Sequence, residues 1–159
     1  MLMELGFIAN EDCPEIQLEI KLDRTKISTL GFSTDLQTIS YEIPNDTQEH
    51  ELKILMYGKN PAIHTAVDQD NRLIRDAVCQ LSYIRFDDID VTDTFCQGRH
   101  ECYRHTLNGV KEESFFDTFW GLIGCNGLVT LKFSTPIYFW LLENAGQSYD
   151  RPVIELPKY

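Results

Sequence analysis

The sequence predicts an all-β protein, a two-sheet antiparallel β-sandwich of jelly-roll or other Greek-key type, on three observations. Residues 16–22 set Ile16, Leu18, Ile20 and Leu22 against Gln17, Glu19 and Lys21, and residues 36–43 repeat the pattern with Ile39, Tyr41 and Ile43. A period of two puts the aliphatic groups on one face of a sheet and the polar ones on the other, so one side is dry. The segments follow one another through short polar turns, with no helical period between them, which argues against a βαβ unit.

The elements follow in order. The first strand ends at Asp23-Arg24-Thr25-Lys26, a second runs over 27–32, and Ser33-Thr34-Asp35 leads to the third. After Pro44-Asn45-Asp46, residues 51–57 place Leu52, Ile54 and Met56 on one face. Gly58-Lys59-Asn60-Pro61 interrupts the alternation, and Asp68-Gln69-Asp70-Asn71 reads as a turn before a long segment over 74–86. That segment mixes polar and apolar residues on both sides, which predicts a β-bulge or burial on both faces. Residues 87–91 form a turn and a short strand with an acidic outer face. Residues 92–118 are the least regular stretch and carry the turn signal Asn108-Gly109. Alternation returns over 127–133 and Pro136 ends it. Residues 137–142 are apolar on both faces, which fits a central strand or a short buried helix.

One domain spanning 1–159 is expected, with an N-terminal arm over about 1–12 and a C-terminal arm over about 145–159 that carries Pro152 and Pro157. Nine Phe, seven Tyr and two Trp supply the bulky side chains that a sheet core favours. Lys and Arg number 14 against 25 Asp and Glu, a net charge of −11 that repels phosphate backbones and anionic lipid surfaces. Nucleic-acid binding is therefore disfavoured. Residues 1–10 combine neither a basic segment nor a long apolar run, and 137–142 is too short to span a bilayer, so no signal peptide and no membrane insertion are expected. Cys13, Cys79, Cys96, Cys102 and Cys125 are odd in number and are read as thiols.

Four groupings bear on chemistry. Cys96, His100, Cys102 and His105 have the ligand types zinc prefers, but their crowded spacing leaves no room for a knuckle between paired ligands. Asp68, Asp70, Asn71 and Asp76 form an oxygen-rich set of the kind that holds calcium, without the glycine and terminal glutamate of a dedicated loop; a plain β-turn is the alternative. Asp87, Asp88, Asp90 and Asp93 form a second acidic knot, read either as further ligands or as a charged strand edge. Cys125, between Gly124 and Asn126, is the one lone nucleophile candidate, with a small buried residue at a strand start as the simpler reading. No cofactor is expected other than a calcium ion.

The aromatic stretch 115–121 carries Phe115, Phe116, Phe119 and Trp120 around Asp117. A sugar ring packs its axial C–H bonds on a flat aromatic face while its hydroxyls need hydrogen-bond partners. Trp120 and Tyr57, with Asp117, are the candidate ligand-binding residues. The alternative is that these aromatics close the end of the sandwich.

Segments 49–54, 58–61, 64–68, 84–91, 121–127 and 135–144 together resemble small uncharacterised proteins encoded by tailed phages of marine bacteria, in order over about residues 15–144. The resemblance implies a carbohydrate-binding-module-like β-sandwich made in the host-cell cytoplasm and attached to the virion. It carries over no catalytic residues. The function expected is a non-enzymatic binding or structural module that recognises host-surface carbohydrate, with virion proteins or further copies of itself as partners. A purely architectural virion or oligomer protein is the first alternative. A polysaccharide hydrolase on the same scaffold is the second, with Asp87, Asp88 and Asp117 as its carboxylates.

Overall fold

A computed structural model of the chain describes residues 1–97, 103–106, 113–116 and 119–144. The strands are β1 (Leu2–Ala9), β2 (Cys13–Leu22), β3 (Thr25–Phe32), β4 (Gln37–Glu42), β5 (Glu49–Tyr57), β6 (Thr65–Val67), β7 (Leu73–Asp76), β8 (Cys79–Phe86), β9 (Ile89–Asp90), β10 (Tyr103–Thr106), β11 (Glu113–Phe116), β12 (Leu122–Ile123) and β13 (Gly127–Ser134). Among the described residues three short helices intervene: α1 (Pro61–His64), α2 (Thr92–Gln97) and α3 (Ile137–Asn144). Among the described residues, no helix is long and apolar enough to cross a membrane.

The strands build the predicted β-sandwich. One sheet has the order β12-β8-β1-β4 with β9 added to β8, the other β11-β10-β13-β5-β2-β3, and β6 and β7 form a separate hairpin. Every pairing is antiparallel. The alternating residues do what their period dictates. Ile16, Leu18, Ile20 and Leu22 from β2, Leu52, Ile54 and Met56 from β5, and Val129, Leu131 and Phe133 from β13 are buried, facing Met3, Leu5, Phe7, Ile84 and Phe86 of the other sheet.

Two expectations are corrected, and the choice left open at 137–142 is decided for the helix. Residues 1–12 are not an arm: β1 lies between β4 and β8, with Met3, Leu5, Phe7 and Ala9 buried along its length. Its period is masked in the sequence by Gly6, whose missing side chain makes room for the Tyr83 ring packed over it. The least regular stretch contains α2 and the hairpin strands β10 and β11, whose register pairs Thr106 with Glu113. The apolar run at 137–142 is helical. Ile137 and Trp140, three apart, face the core, while Tyr138, Phe139 and Leu142 are exposed. The expected C-terminal arm lies outside the described residues.

Gly58 closes β5 with a φ of 88°, and a Cβ there would press into the Glu15 carbonyl oxygen. A side chain is disfavoured at this position by backbone angle and by space together. Gly58→Ala is expected to lower the unfolding free energy by more than about 1 kcal/mol, read from the urea midpoint at unchanged slope.

Candidate functional site

Next to Gly58, the Lys59 ammonium is buried and its three protons meet three acceptors: the Asp76 carboxylate, the Ala77 carbonyl at 2.9 Å and the Gly124 carbonyl at 2.6 Å. The Asn126 amide straddles the Lys59 backbone, accepting from its N–H at 3.0 Å and donating to its carbonyl at 2.8 Å. Thr65 Oγ1 donates to the same Asp76 oxygen at 2.7 Å. Each of the three ammonium protons has an acceptor, so this cluster stitches three loops together. Cys125 lies beside it. Burial pushes its thiol up, with Lys59 opposing and Asp76 adding to the shift, which is the wrong direction for a nucleophile.

Cys13, Glu15 and His64 also converge, with potential ligand atoms within 4.8 Å of one another. The hydrogen bonds at His64 decide what they do. Its Nδ1 accepts from the Asn60 backbone N–H at 2.9 Å, so the ring proton sits on Nε2 and is donated to Glu15 Oε1 at 2.7 Å. Both nitrogens are occupied. A metal-bound imidazole donates from its second nitrogen, whereas this one faces a donor there. Burial first, then the Glu11 and Glu15 carboxylates, also hold the Cys13 thiol protonated. The trio reads as a hydrogen-bonded anchor for α1, whose first turn Asn60 caps by accepting from the Ala62 N–H at 3.0 Å, with Pro61 behind it.

The predicted calcium residues are not gathered. Asp68 Oδ1 accepts from the Asp70 and Arg72 N–H groups at 2.8 and 2.9 Å, and Asn71 has a φ of 59°, so Asp68, Asp70 and Asn71 form the β6–β7 turn. Asp76 lies at the other end of that hairpin, opposite Thr65 and roughly 10 Å away at about 3.3 Å per strand residue. It is engaged with Lys59. Of the zinc-type grouping, Cys96 is buried in α2, and His100 and Cys102 lie outside the described residues. Asp87 and Asp88, with φ of 47° and 66°, form the two-residue β8–β9 turn, and Asp87 Oδ1 accepts from the Leu2 N–H at 2.7 Å.

The second acidic knot leads to an open polar concavity. It measures about 310 Å³ and is lined by Ser82, Asp90, Thr92, Asp93 and Thr94. Two local devices build it. The β1–β8 register passes from Gly6↔Tyr83 to Phe7↔Leu81, leaving Ser82 as the extra residue of a β-bulge. Asp90 Oδ1 then accepts from the Thr92 N–H at 2.9 Å and the Thr92 hydroxyl at 2.6 Å, and that hydroxyl accepts from the Ile84 N–H at 2.9 Å. The start of α2 is thereby fastened to β8.

Trp120 is held by the same two elements. Its backbone N–H donates to the Cys96 carbonyl of α2 at 2.9 Å, and the carbonyl of the next residue, Gly121, accepts from the Leu81 N–H of β8 at 2.8 Å. Phe119 is buried as the anchor, while Trp120 is 37% exposed with a φ of 59°. A bulky residue in left-handed backbone is uncommon, and such strain persists where the surroundings impose it. Tyr57 is elsewhere. It stands on the outer face of the six-stranded sheet, its hydroxyl donating to Gln17 Oε1 at 2.7 Å, and so does not join Trp120, which attaches to the other sheet. Asp117 lies outside the described residues.

No protein-family model matches the chain, and no curated protein matches it. Among solved structures, it is similar to vCBM60 in complex with galactobiose, at 9% identity and a TM-score of 0.45, over 82% of this chain and 96% of that one. A selenomethionine form of vCBM60, described as part of an evolutionary link between two families of calcium-dependent carbohydrate binding modules, is similar at 7% identity and a TM-score of 0.40. The match covers 84% of this chain and 89% of that one. At this level of similarity neither comparison assigns a ligand to this chain.

Sequence reasoning named Trp120, Asp90 and Asp93 but not Ser82, Thr92 or Thr94. A signal for Thr92 was present: Asp90 and Thr92 are residue types favoured at a helix start, just ahead of Phe95 and Cys96.

Proposed function

We propose that this protein is a carbohydrate-binding module whose site is the Ser82–Asp90–Thr92–Asp93–Thr94 concavity with Trp120 as its aromatic platform. The observation that carries the reading is the exposed, left-handed Trp120, fixed by β8 and α2, the elements that supply the polar lining. A sugar face packs on the indole, and the Asp90 and Asp93 carboxylates with the Ser82 and Thr94 hydroxyls meet the ring hydroxyls, while the buried Thr92 hydroxyl holds Asp90 in place. The lining contributes carboxylates and no described cation, which favours neutral over anionic glycans. In the phage setting that the resemblance implies, many copies on one particle would raise a weak single-site affinity.

A glycan-array assay of the wild type beside Trp120→Ala, both checked for folding by circular dichroism, tests this. The wild type is expected to bind, and the folded variant to lose at least about 10-fold in affinity, as for the loss of a central aromatic anchor. Equal binding by the two proteins, or no binding by the wild type, would count against the reading.

A second reading, an architectural protein, is favoured by a different observation. Tyr138, Phe139 and Leu142 leave an apolar face of α3 exposed, at 53%, 57% and 76%. Light scattering on the purified protein separates the two, since an architectural role requires self-association and no glycan.

A further inference from the structure

His50 faces the core at the start of β5, and each of its ring nitrogens meets a carboxylate. Nδ1 lies 3.0 Å from Asp23 Oδ2 in the β2–β3 turn, and Nε2 lies 3.1 Å from Asp46 Oδ1 in the loop before β5. A carboxylate only accepts, so both contacts are hydrogen bonds when both nitrogens carry protons. We propose that His50 is a pH-operated latch which, as the imidazolium, ties the β2–β3 turn and the 43–48 loop to the end of β13.

Each carboxylate is itself a fastening. Asp23 Oδ1 accepts from the Glu51 N–H at 2.9 Å, and its own N–H donates to the Glu51 carbonyl at 2.8 Å. Asp46 Oδ1 also accepts from the Gln48 N–H and from the Thr135 hydroxyl, both at 3.1 Å, and the Thr135 N–H donates to the Gln48 carbonyl at 3.0 Å. His50 is the side chain that joins the two sets. The Phe133 ring of β13, centred 5.5 Å away, closes the inner side, and Glu49 and Glu51 flank it on its own strand, directed to the opposite face. Among the described residues, neither Asp23 nor Asp46 pairs with a lysine or arginine.

The charge balance fixes the sign. Burial opposes the imidazolium, but hydrogen bonds and charge from Asp23 and Asp46 outweigh it and hold His50 above its ordinary value. Asp46 is held below its ordinary value: burial pushes it up, and the bonds from Gln48, His50 and Thr135 more than offset this. A raised histidine contributes its full stabilisation below the unfolded-state pKa and loses it as the pH rises through the folded one. The lowered aspartate contributes above its unfolded value and loses its share as the pH falls through the folded one. The latch is therefore closed on the mildly acidic side of neutrality and opens as the pH rises, when a neutral ring can donate to one carboxylate only.

Imidazole nitrogen resonances of the full chain, followed through a pH titration, test this together with amide exchange at residues 44–48 and Thr135. Both His50 nitrogens are expected to be protonated at about pH 5.5, with a midpoint above the ~6.5 of a free imidazole. After correction for intrinsic rates, exchange in the loop is expected to accelerate several-fold across that midpoint. Asp46→Asn should lower the midpoint, and His50→Gln should remove the pH dependence of exchange. A ring that is neutral at about pH 5.5, or loop exchange that does not follow the titration, would overturn the latch; the wild-type titration decides this even if the variants fail to fold.

Discussion

Lys59→Met is expected to lower the unfolding free energy by about 3–5 kcal/mol, because it leaves a largely buried carboxylate without its countercharge. The wild-type ammonium serves Asp76, Ala77 and Gly124 at once, so its loss also strands two carbonyl oxygens where water has little access. Removing the carboxylate as well, in Lys59→Met/Asp76→Asn, should recover part of the loss, since the isolated charge is the costly element. Urea unfolding of the two variants checks this. A single variant within about 1 kcal/mol of wild type would mean that water reaches Asp76 and that the cluster is a surface pair.

Phe133→Ala is the second large effect, expected at about 3–5 kcal/mol from lost burial and the cavity left behind. Phe133 lies at the centre of an aromatic group, with ring centres 4.9 Å from Phe86, 5.9 Å from Phe95 and 5.5 Å from His50, while Phe95 stacks on Trp140 at 4.7 Å. Phe95 belongs to α2, so the cavity would lie beneath the helix whose first turn lines the concavity. Thermal unfolding measures the stability loss. Phe133→Leu, which retains much of the volume, should cost less than half as much.

The strands with a dry and a wet face were legible because one residue in two records the core: Ile16 to Leu22, Leu52 to Met56, and Val129 to Phe133 all face inward as their alternation requires. The bulge in the segment before Asp87 was legible for the same reason, since Ser82 interrupts the period. β1 was not, because Gly6 is buried under Tyr83 and the run around it is apolar on both sides. The apolar segment at 137–142 left strand and helix open, because packing against Phe95, rather than the segment's own pattern, selects the helix. The candidate site was only partly readable. Trp120 stood out as an aromatic, but the polar lining comes from residues 82 and 90–94 of β8, β9 and α2, and the backbone bonds that fix the 120–121 turn to β8 and α2 are long-range contacts that no local spacing encodes. A buried lysine such as Lys59 looks in sequence like any surface lysine, since its three acceptors lie 17 or more residues away.

Amide chemical-shift mapping during titration with a glycan is the most direct test of the central claim. Perturbations confined to Ser82, residues 90–94 and residues 119–122 are the predicted result, and they would place the sugar on Trp120 and the β8–α2 concavity. Perturbations centred instead on Tyr57 and Gln17, on the outer face of the six-stranded sheet, or no perturbation with any glycan, would contradict it.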